Sequence, residues 1–313
     1  MPLFKIVGVT STEESYNVGF AYIANEKEDN FVWALETCKS LLIRKETFPK
    51  VIVTDKDKSL MNVVAKVFPN STALVCRVHV YKNVKAKLKA VCNAKEQIMD
   101  QLLKTLKLQW NSIVDSTSEE SYTTAVVEFR KVFEKFPNFV KYVETTVLDP
   151  VKEKFVSAWT DSVMRIGNTS TNRVESQHGA LKQYLTDCKG GLVKGWEAMN
   201  QMVPNQLTKI KTSFGQSTTA VEHYFKNHFL YIKLVYNISR QALHFIRALK
   251  IEKKLPIRLD EVNTHWKRLQ IDDVVDGEVD CLQEFNVIQE RMKSSDHSMK
   301  LQIRDQLCLI AYP

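Results

Sequence analysis

Only six of 313 residues are cysteine, at positions 38, 76, 92, 188, 281 and 308, and no two of them form a Cys-x-x-Cys pair. In so long a chain this is reduced, intracellular usage and excludes a disulfide framework. No uncharged apolar run approaches the length of a membrane span. Met1-Pro2-Leu3 opens directly into a strand-like run, without a charged segment followed by an apolar one, so no secretory leader is expected. Internal repeats and low-complexity tracts are also missing. What is present is globular: 44% hydrophobic and 10% aromatic residues. The length allows one large domain or two ordinary ones with a buried core. Lys and Arg outnumber Asp and Glu, 44 against 36, for a net charge of +8. That excess fits ordinary surface variation, or a polyanion partner held by phosphate attraction and counterion release.

Periodicity divides the chain. Residues 3–9 and 16–23 read as strands joined by a hairpin over Ser11–Ser15. Phe31, Leu35, Cys38, Leu41 and Leu42 recur at helical spacing up to Pro49. Val51–Thr54 reads as a short buried strand. Leu60, Val63, Val64, Val67 and Phe68 share one face of a helix that Asp57 can cap and Pro69-Asn70 ends, and residues 72–75 read as a further strand. Strand signals then nearly vanish. Lys82, Lys85, Lys87 and Lys89 surround Val84 and Leu88, a solvated helix face or, less simply, a phosphate contact. Ile98 to Ile113 and Tyr122 to Phe136 continue in helical register. Gly190-Gly191 is a break, and Val221 to Ile246 reads as long amphipathic helix. Beyond Ile251 the pattern weakens, and residues 272–277 look like a loop. The expected divisions are residues 1–80 (α/β), 81–160 (helical insertion), 161–190 (a helix bearing an acid), 191–250 (further helices) and 251–313 (a weakly structured or helical tail).

Two features carry chemistry. The polar run Asn168-Thr-Ser-Thr-Asn-Arg-Val-Glu175-Ser-Gln-His178 feeds a helix that Ser170 or Thr171 can cap, with Glu175 in its first turns. Alone, that acid only offsets the helix dipole. Far upstream, the β-branched run Val51-Ile-Val-Thr54 ends abruptly in Asp55. A strand-end Asp and a helix-borne Glu, here 120 residues apart, are how two-metal phosphoryl-transfer sites are assembled, so their carboxylates should converge within roughly 10 Å.

The segments Lys5–Ser11, Asn30–Leu35, Val51–Asp57, Cys76-Arg-Val-His79 with Asn83–Lys87, and Asn172–His178 resemble, in order and spacing, Mutator-like transposases. The resemblance covers roughly residues 2 to 250, with a fainter echo at Pro256–Asp260 and His265–Arg268. It implies a ribonuclease H-like α/β fold with an integrase-type mixed sheet, a large helical insertion and a helical C-terminal region. It also implies a catalytic centre of three acids holding two Mg²⁺ or Mn²⁺ ions, in which Asp55 is the second acid and Glu175 the third. The family's first acid lies on a strand before the segment that begins here at Pro2-Leu3, so the sheet is expected without its central strand and the chain, as given, without cutting activity. Cys76-x-x-His79 matches a family motif; a buried thiol beside a hydrogen-bonded histidine is the plainer role for it, since two ligands alone do not make a zinc site. His178, one turn past Glu175, can orient a carboxylate, contact phosphate or serve structurally. Arg173 can touch a backbone phosphate or simply be solvated. The family's compact Cys/His zinc motif has no counterpart, as no cysteine lies between 188 and 281, and zinc is not expected. The implied function is that of a transposase-derived, nuclear DNA-processing core with weak, sequence-independent DNA binding, no membrane and room for a homo-oligomer. The alternative is a domesticated DNA-binding regulator of the far-red-impaired-response type.

Overall fold

A computed structural model of the chain describes residues 1–42, 48–92, 95–163, 168–185, 191–253, 255–271 and 282–311. Gly190 and the loop expected at 272–277 lie outside them. Alternating apolar residues make Leu3–Val9 (β1) and Ser15–Tyr22 (β2) an antiparallel hairpin, with Leu3 opposite Tyr22 and Val9 opposite Ser15. The turn closes through Thr10 N–H to the Glu14 carbonyl, 2.9 Å, and Glu13 N–H to the Thr10 carbonyl, 3.0 Å. Glu13 there takes a φ of 60°. Gly8 lies opposite Tyr16, whose ring fills the space a Cβ would need. After helix α1 (Glu28–Ser40), Val51–Thr54 (β3) and Thr72–Val75 (β4) pair in parallel, connected by α2 (Lys58–Val67). Asp57 caps α2, its Oδ1 accepting from Leu60 N–H at 2.7 Å.

The expected mixed sheet is thus replaced, among the described residues, by two separate two-stranded sheets, β1–β2 and β3–β4. The strand expected to be buried, β3, is only half-buried except at Thr54. Strand alternation sends the two faces of β1 to different helices. Phe4 and Ile6 pack toward α1, with Phe4 and Phe31 ring centroids 5.3 Å apart. Leu3, with Phe20 and Tyr22 of β2, meets α9 (Asn172–Tyr184) and α10 (Leu192–Thr219) at Leu181, Met199 and Met202. Ile52 of β3 joins the same apolar layer of α1 and α2 that underlies Phe4.

Between β4 and α9 lies a helical block: α3 (Arg77–Val91), α4 (Glu96–Val114), α5 (Glu119–Val132) and α6 (Pro137–Tyr142), then a wide π-type turn over Val143–Leu148, α7 (Asp149–Val151) and α8 (Ser157–Thr160). Its core is aromatic. Phe129, Phe133 and Phe139 are fully buried, with centroids 4.8–5.8 Å apart, and Trp110 stacks on Phe155. Ser118 starts α5 with a reciprocal cap to Ser121.

Val221–Ile246 departs from the long helix its spacing suggested. It folds as α11 (His223–Asn227), a 3₁₀ turn over Phe229–Tyr231 and α12 (Arg240–Ala248). Tyr236 takes a φ of 66°, which no helix accommodates, and Ser239 caps a new start through Ala242 N–H. Phe225, Leu234, Ile238 and Leu243 still reach one core, because short turns place apolar residues at the same three- and four-residue spacing. The segment 270–313 forms a separate unit in which α13 (Leu282–Ser294) packs on α14 (His297–Ala311), with Asp296 capping α14 through Met299 N–H. Among the described residues no helix is long and apolar enough to cross a membrane.

Phe129→Ala should destabilise the molecule by about 3–5 kcal/mol, the cost of a cavity among rings that cannot collapse. Chemical denaturation of wild type and variant measures this directly.

Candidate functional site

The two acids singled out by the sequence meet on one imidazole. His79 Nδ1 lies 2.8 Å from Asp55 Oδ1, and its Nε2 lies 3.2 Å from Glu175 Oε1. Asp55 follows the last residue of β3, His79 sits in the first turns of α3, and Glu175 in the first turn of α9. Only the doubly protonated ring can donate at both nitrogens; a neutral tautomer donates at one. The acids stand open to solvent, with side chains 53% and 49% exposed, so their outer oxygens are free to meet a ligand. Lys82 Nζ, one turn beyond His79, lies 3.4 Å from the same Glu175 oxygen.

Thr171 ties this group together, a role sequence reasoning missed. It occupies the cap position of α9, yet its hydroxyl makes no cap bond. Instead Oγ1 donates to Asp55 Oδ1 at 3.0 Å and lies 3.1 Å from His79 Nδ1 and 3.3 Å from Cys76 Sγ. The expected Ser170 or Thr171 cap reduces to one long bond, Asn172 N–H to Ser170 Oγ at 3.4 Å. Cys76 is fully buried, and its sulfur also accepts the Thr171 backbone N–H at 3.2 Å. Asp55, Cys76 and His79 together offer three metal-ligand atoms within 4.8 Å of one another. The sequence offered only two of these as a set; the third comes from the neighbouring strand.

The remaining candidates have other surroundings. Arg173 is part-buried and engaged: Nε donates to Asn168 Oδ1 at 2.6 Å, and NH1 to the Glu13 carbonyl at 2.8 Å and Ser15 Oγ at 3.0 Å. It locks α9 to the β1–β2 turn. His178 makes no hydrogen bond to Glu175 among the described residues; burial, with Lys5 and Lys182 nearby, pushes its pKa down. Asp57 serves as the α2 cap. Of the lysines on α3, Lys82 and Lys89 are exposed, and Lys87 lies over the Tyr142 ring.

Lys5, unremarked in the sequence, is buried in β1. Its Nζ donates to the Gln177 carbonyl at 2.7 Å and lies 5.1 Å from the Phe20 ring centroid, with no carboxylate paired to it among the described residues. Burial holds its pKa down to about 8.

With this geometry in place, comparison with known proteins adds sequence kinship. Residues 1–83 match the model of the MULE transposase domain. The match takes in about a quarter of the chain. The MULE match contains Asp55, Cys76 and His79 and stops short of Glu175. The chain is also similar to Protein FAR-RED IMPAIRED RESPONSE 1 of Arabidopsis thaliana, 25% identical over 185 residues, which are 59% of this chain and 21% of that protein. It is similar over 88 residues, at 34% identity, to the PKS-NRPS hybrid synthetase cheA of Chaetomium globosum, covering 27% of this chain and 2% of that protein. The chain therefore spans about a fifth of the length of the plant relative and a small fraction of the fungal one.

Lys5 gives the fold a defined pH response. Between pH 8 and the ordinary lysine value of 10.5, the unfolded chain holds a proton that the folded chain has released, so stability should rise with pH. Lys56, lowered in the same direction by burial, adds to this. Above about 10 the trend should reverse, because burial raises Tyr16, and raises Tyr122 to about 12, so that only the unfolded chain ionises them. Denaturation midpoints from pH 7 to 10 should climb for wild type and climb less for Lys5→Met.

Proposed function

We propose that the chain is a transposase-derived, DNA-binding core of ribonuclease H-like type in which Asp55 and Glu175 form the open face of a divalent-cation site. The observation that carries this reading is the meeting of both carboxylates on His79 from positions 120 residues apart, Asp55 inside the MULE-matched stretch and Glu175 well outside it. Exposed carboxylate oxygens are hard donors and fit Mg²⁺ or Mn²⁺. A bound cation would supply charge neutralisation at a phosphate and activation of a water or 3′-hydroxyl. The chain's own residues do the rest: Thr171 fixes the Asp55 carboxylate, Arg173 fixes α9 and hence Glu175, and Lys82 places positive charge at the rim where phosphate would approach. On His79 only two carboxylates converge among the described residues, fewer than a two-metal centre of this class uses, so DNA is bound and not cut. The expected partner is duplex DNA held through its phosphates, and the expected compartment is the nucleus.

Titration with Mn²⁺ should show binding that weakens at least tenfold in both Asp55→Asn and Glu175→Gln. Affinity unchanged from wild type in either variant would overturn the site. If Zn²⁺ bound instead, with loss in Cys76→Ser and not in Glu175→Gln, the Asp55–Cys76–His79 side of the cluster would be the metal centre. On supercoiled plasmid with Mg²⁺ or Mn²⁺ the 313-residue chain should leave no nick; cleavage abolished by Asp55→Asn would keep the site and refute its inactivity.

Similarity to the plant protein over 59% of the chain favours a second reading, a regulator that keeps the fold to recognise DNA. The two separate by salt. Phosphate-dominated binding should fall steeply between about 50 and 200 mM salt, by ~10³-fold or more if six or more phosphates are neutralised. Tight, salt-resistant binding to one sequence would establish the regulator.

A further inference from the structure

The break that splits residues 221–246 into α11, a 3₁₀ turn and α12 also sorts their aromatic rings. Phe225 and Tyr231 turn into the core, 1% and 4% exposed, while Tyr224 and Phe229 stay outside, 42% and 51% exposed. The outer rings do not lie singly. The Arg247 guanidinium sits 4.1 Å from the Tyr224 ring centroid. Tyr224 lies 5.4 Å from the His228 ring, and His228 stacks on Phe229 at 5.3 Å with only 16° between the planes. Arg247, Tyr224, His228 and Phe229 thus form one row of planar groups. The row is held from below. Tyr224 meets the buried Phe225 edge-on at 5.3 Å. His228 Nδ1 accepts the Leu230 N–H at 3.3 Å, which fixes its ring as the cap of the 3₁₀ turn.

The charge around the row has one sign. Residues 223–248, from the start of α11 to the end of α12, contain Lys226, Lys233, Arg240 and Arg247 and no acid. Glu222, just ahead of them, is already engaged by His244 at 2.8 Å and Arg240 at 3.6 Å. Lys226, Lys233 and Arg247 are exposed. Apolar residues scattered singly on a surface need no explanation; a stacked row set among cations does. Rings that turn a π-face to solvent beside positive charge suit a ligand with planar groups strung along an anionic chain. Duplex DNA does not offer this, because its bases are stacked on one another and present only their edges in the grooves. A single strand offers both. The guanidinium at one end of the row can stack on a base or meet a phosphate with two N–H groups.

We propose that the surface formed by Tyr224, His228, Phe229 and Arg247 binds single-stranded DNA. A base stacks on the face of Phe229 turned away from His228, Arg247 meets the phosphate chain, and Lys226 and Lys233 add charge. The rings are already stacked in the free protein, so binding orders few side chains. The choice of DNA over RNA rests on the reading of the chain as a DNA-binding core. The preference for an unpaired strand rests on the row itself and does not depend on metal at Asp55.

The test is fluorescence anisotropy of the whole chain with four labelled probes at about 100 mM salt, where phosphate attraction alone is weakened. The probes are a twelve-nucleotide oligothymidylate, an abasic strand of the same length, a duplex of the same length and an oligouridylate. The oligothymidylate should bind at least fivefold more tightly than the abasic strand. Phe229→Ala should weaken oligothymidylate binding at least fivefold and Phe229→Trp should restore it, with the abasic strand and the duplex unaffected by either. Arg247→Gln, a change at an exposed side chain, should weaken the oligothymidylate as well, which keeps the test open if Phe229→Ala fails to fold. Equal binding of thymidylate and abasic strands, no saturable thymidylate binding, or unchanged affinity in Phe229→Ala or Arg247→Gln would overturn the proposal. Oligouridylate bound at least tenfold more tightly than oligothymidylate would overturn it in favour of RNA. Self-association of the chain that is lost in Phe229→Ala would make the row a contact between copies, which also refutes it. A duplex that fails to bind while oligothymidylate binds through Phe229 would refute the duplex reading alone.

Discussion

The site depends on one docking event: the segment Asn168–Thr171 laid against the C-terminal ends of β3 and β4. Its backbone accepts Arg77 N–H at the Thr169 carbonyl, 3.0 Å, and donates Thr171 N–H to Cys76 Sγ. Its hydroxyl holds Asp55. These contacts span 92 to 116 residues of chain, so nothing local enforces them. They are secured by burial of the thiol and by Arg173, which pins the next turn to the hairpin. Without that docking, Glu175 is an ordinary helix-start acid; with it, α9 delivers a carboxylate to the face of the β3 edge.

Charge in this region is distributed by burial more than by composition. Asp55 and Glu175 are half exposed and share one imidazole, a weakly stabilising arrangement in solvent that leaves their oxygens available. Lys5 reaches the Gln177 carbonyl of α9, buried and without an acid among the described residues, and a protein that carries such a group forgoes some stability there. All three line one cleft, the acids half exposed and the lysine buried.

Much of this was legible in the sequence, and the parts that were not share a cause. The strands of β1, β2, β3 and β4 and the Asp57 cap are written in local alternation and in single polar residues ahead of apolar runs. So is the pairing of Asp55 with Glu175, through motif order. The pairing of strands across α1 is non-local and could not be read from any window; only the resemblance gave a sheet without its central strand. Thr171 was misread because a threonine before a helix is usually its cap, and here a buried sulfur and a carboxylate compete for the hydroxyl. Val221–Ile246 was misread because 3₁₀ turns and short helices repeat apolar residues at nearly the spacing of one long helix. Arg173 looked solvated because its acceptors, Asn168 apart, belong to a turn about 160 residues away.

Arg77 stands where the helical block leaves the sheet, and it also holds the block's return: Nε donates to the Phe155 carbonyl at 2.6 Å and NH2 to Ser157 Oγ at 3.1 Å. Entry and exit are therefore fastened to one another beside the site, with the aromatic core closed around Phe129 beyond them. For a loop whose ends are fixed, lengthening costs only logarithmically, about 0.6 kcal/mol for each doubling. The block can thus grow, shrink or exchange helices while Asp55 and Glu175 keep their separation, which makes it the part of this architecture freest to diversify.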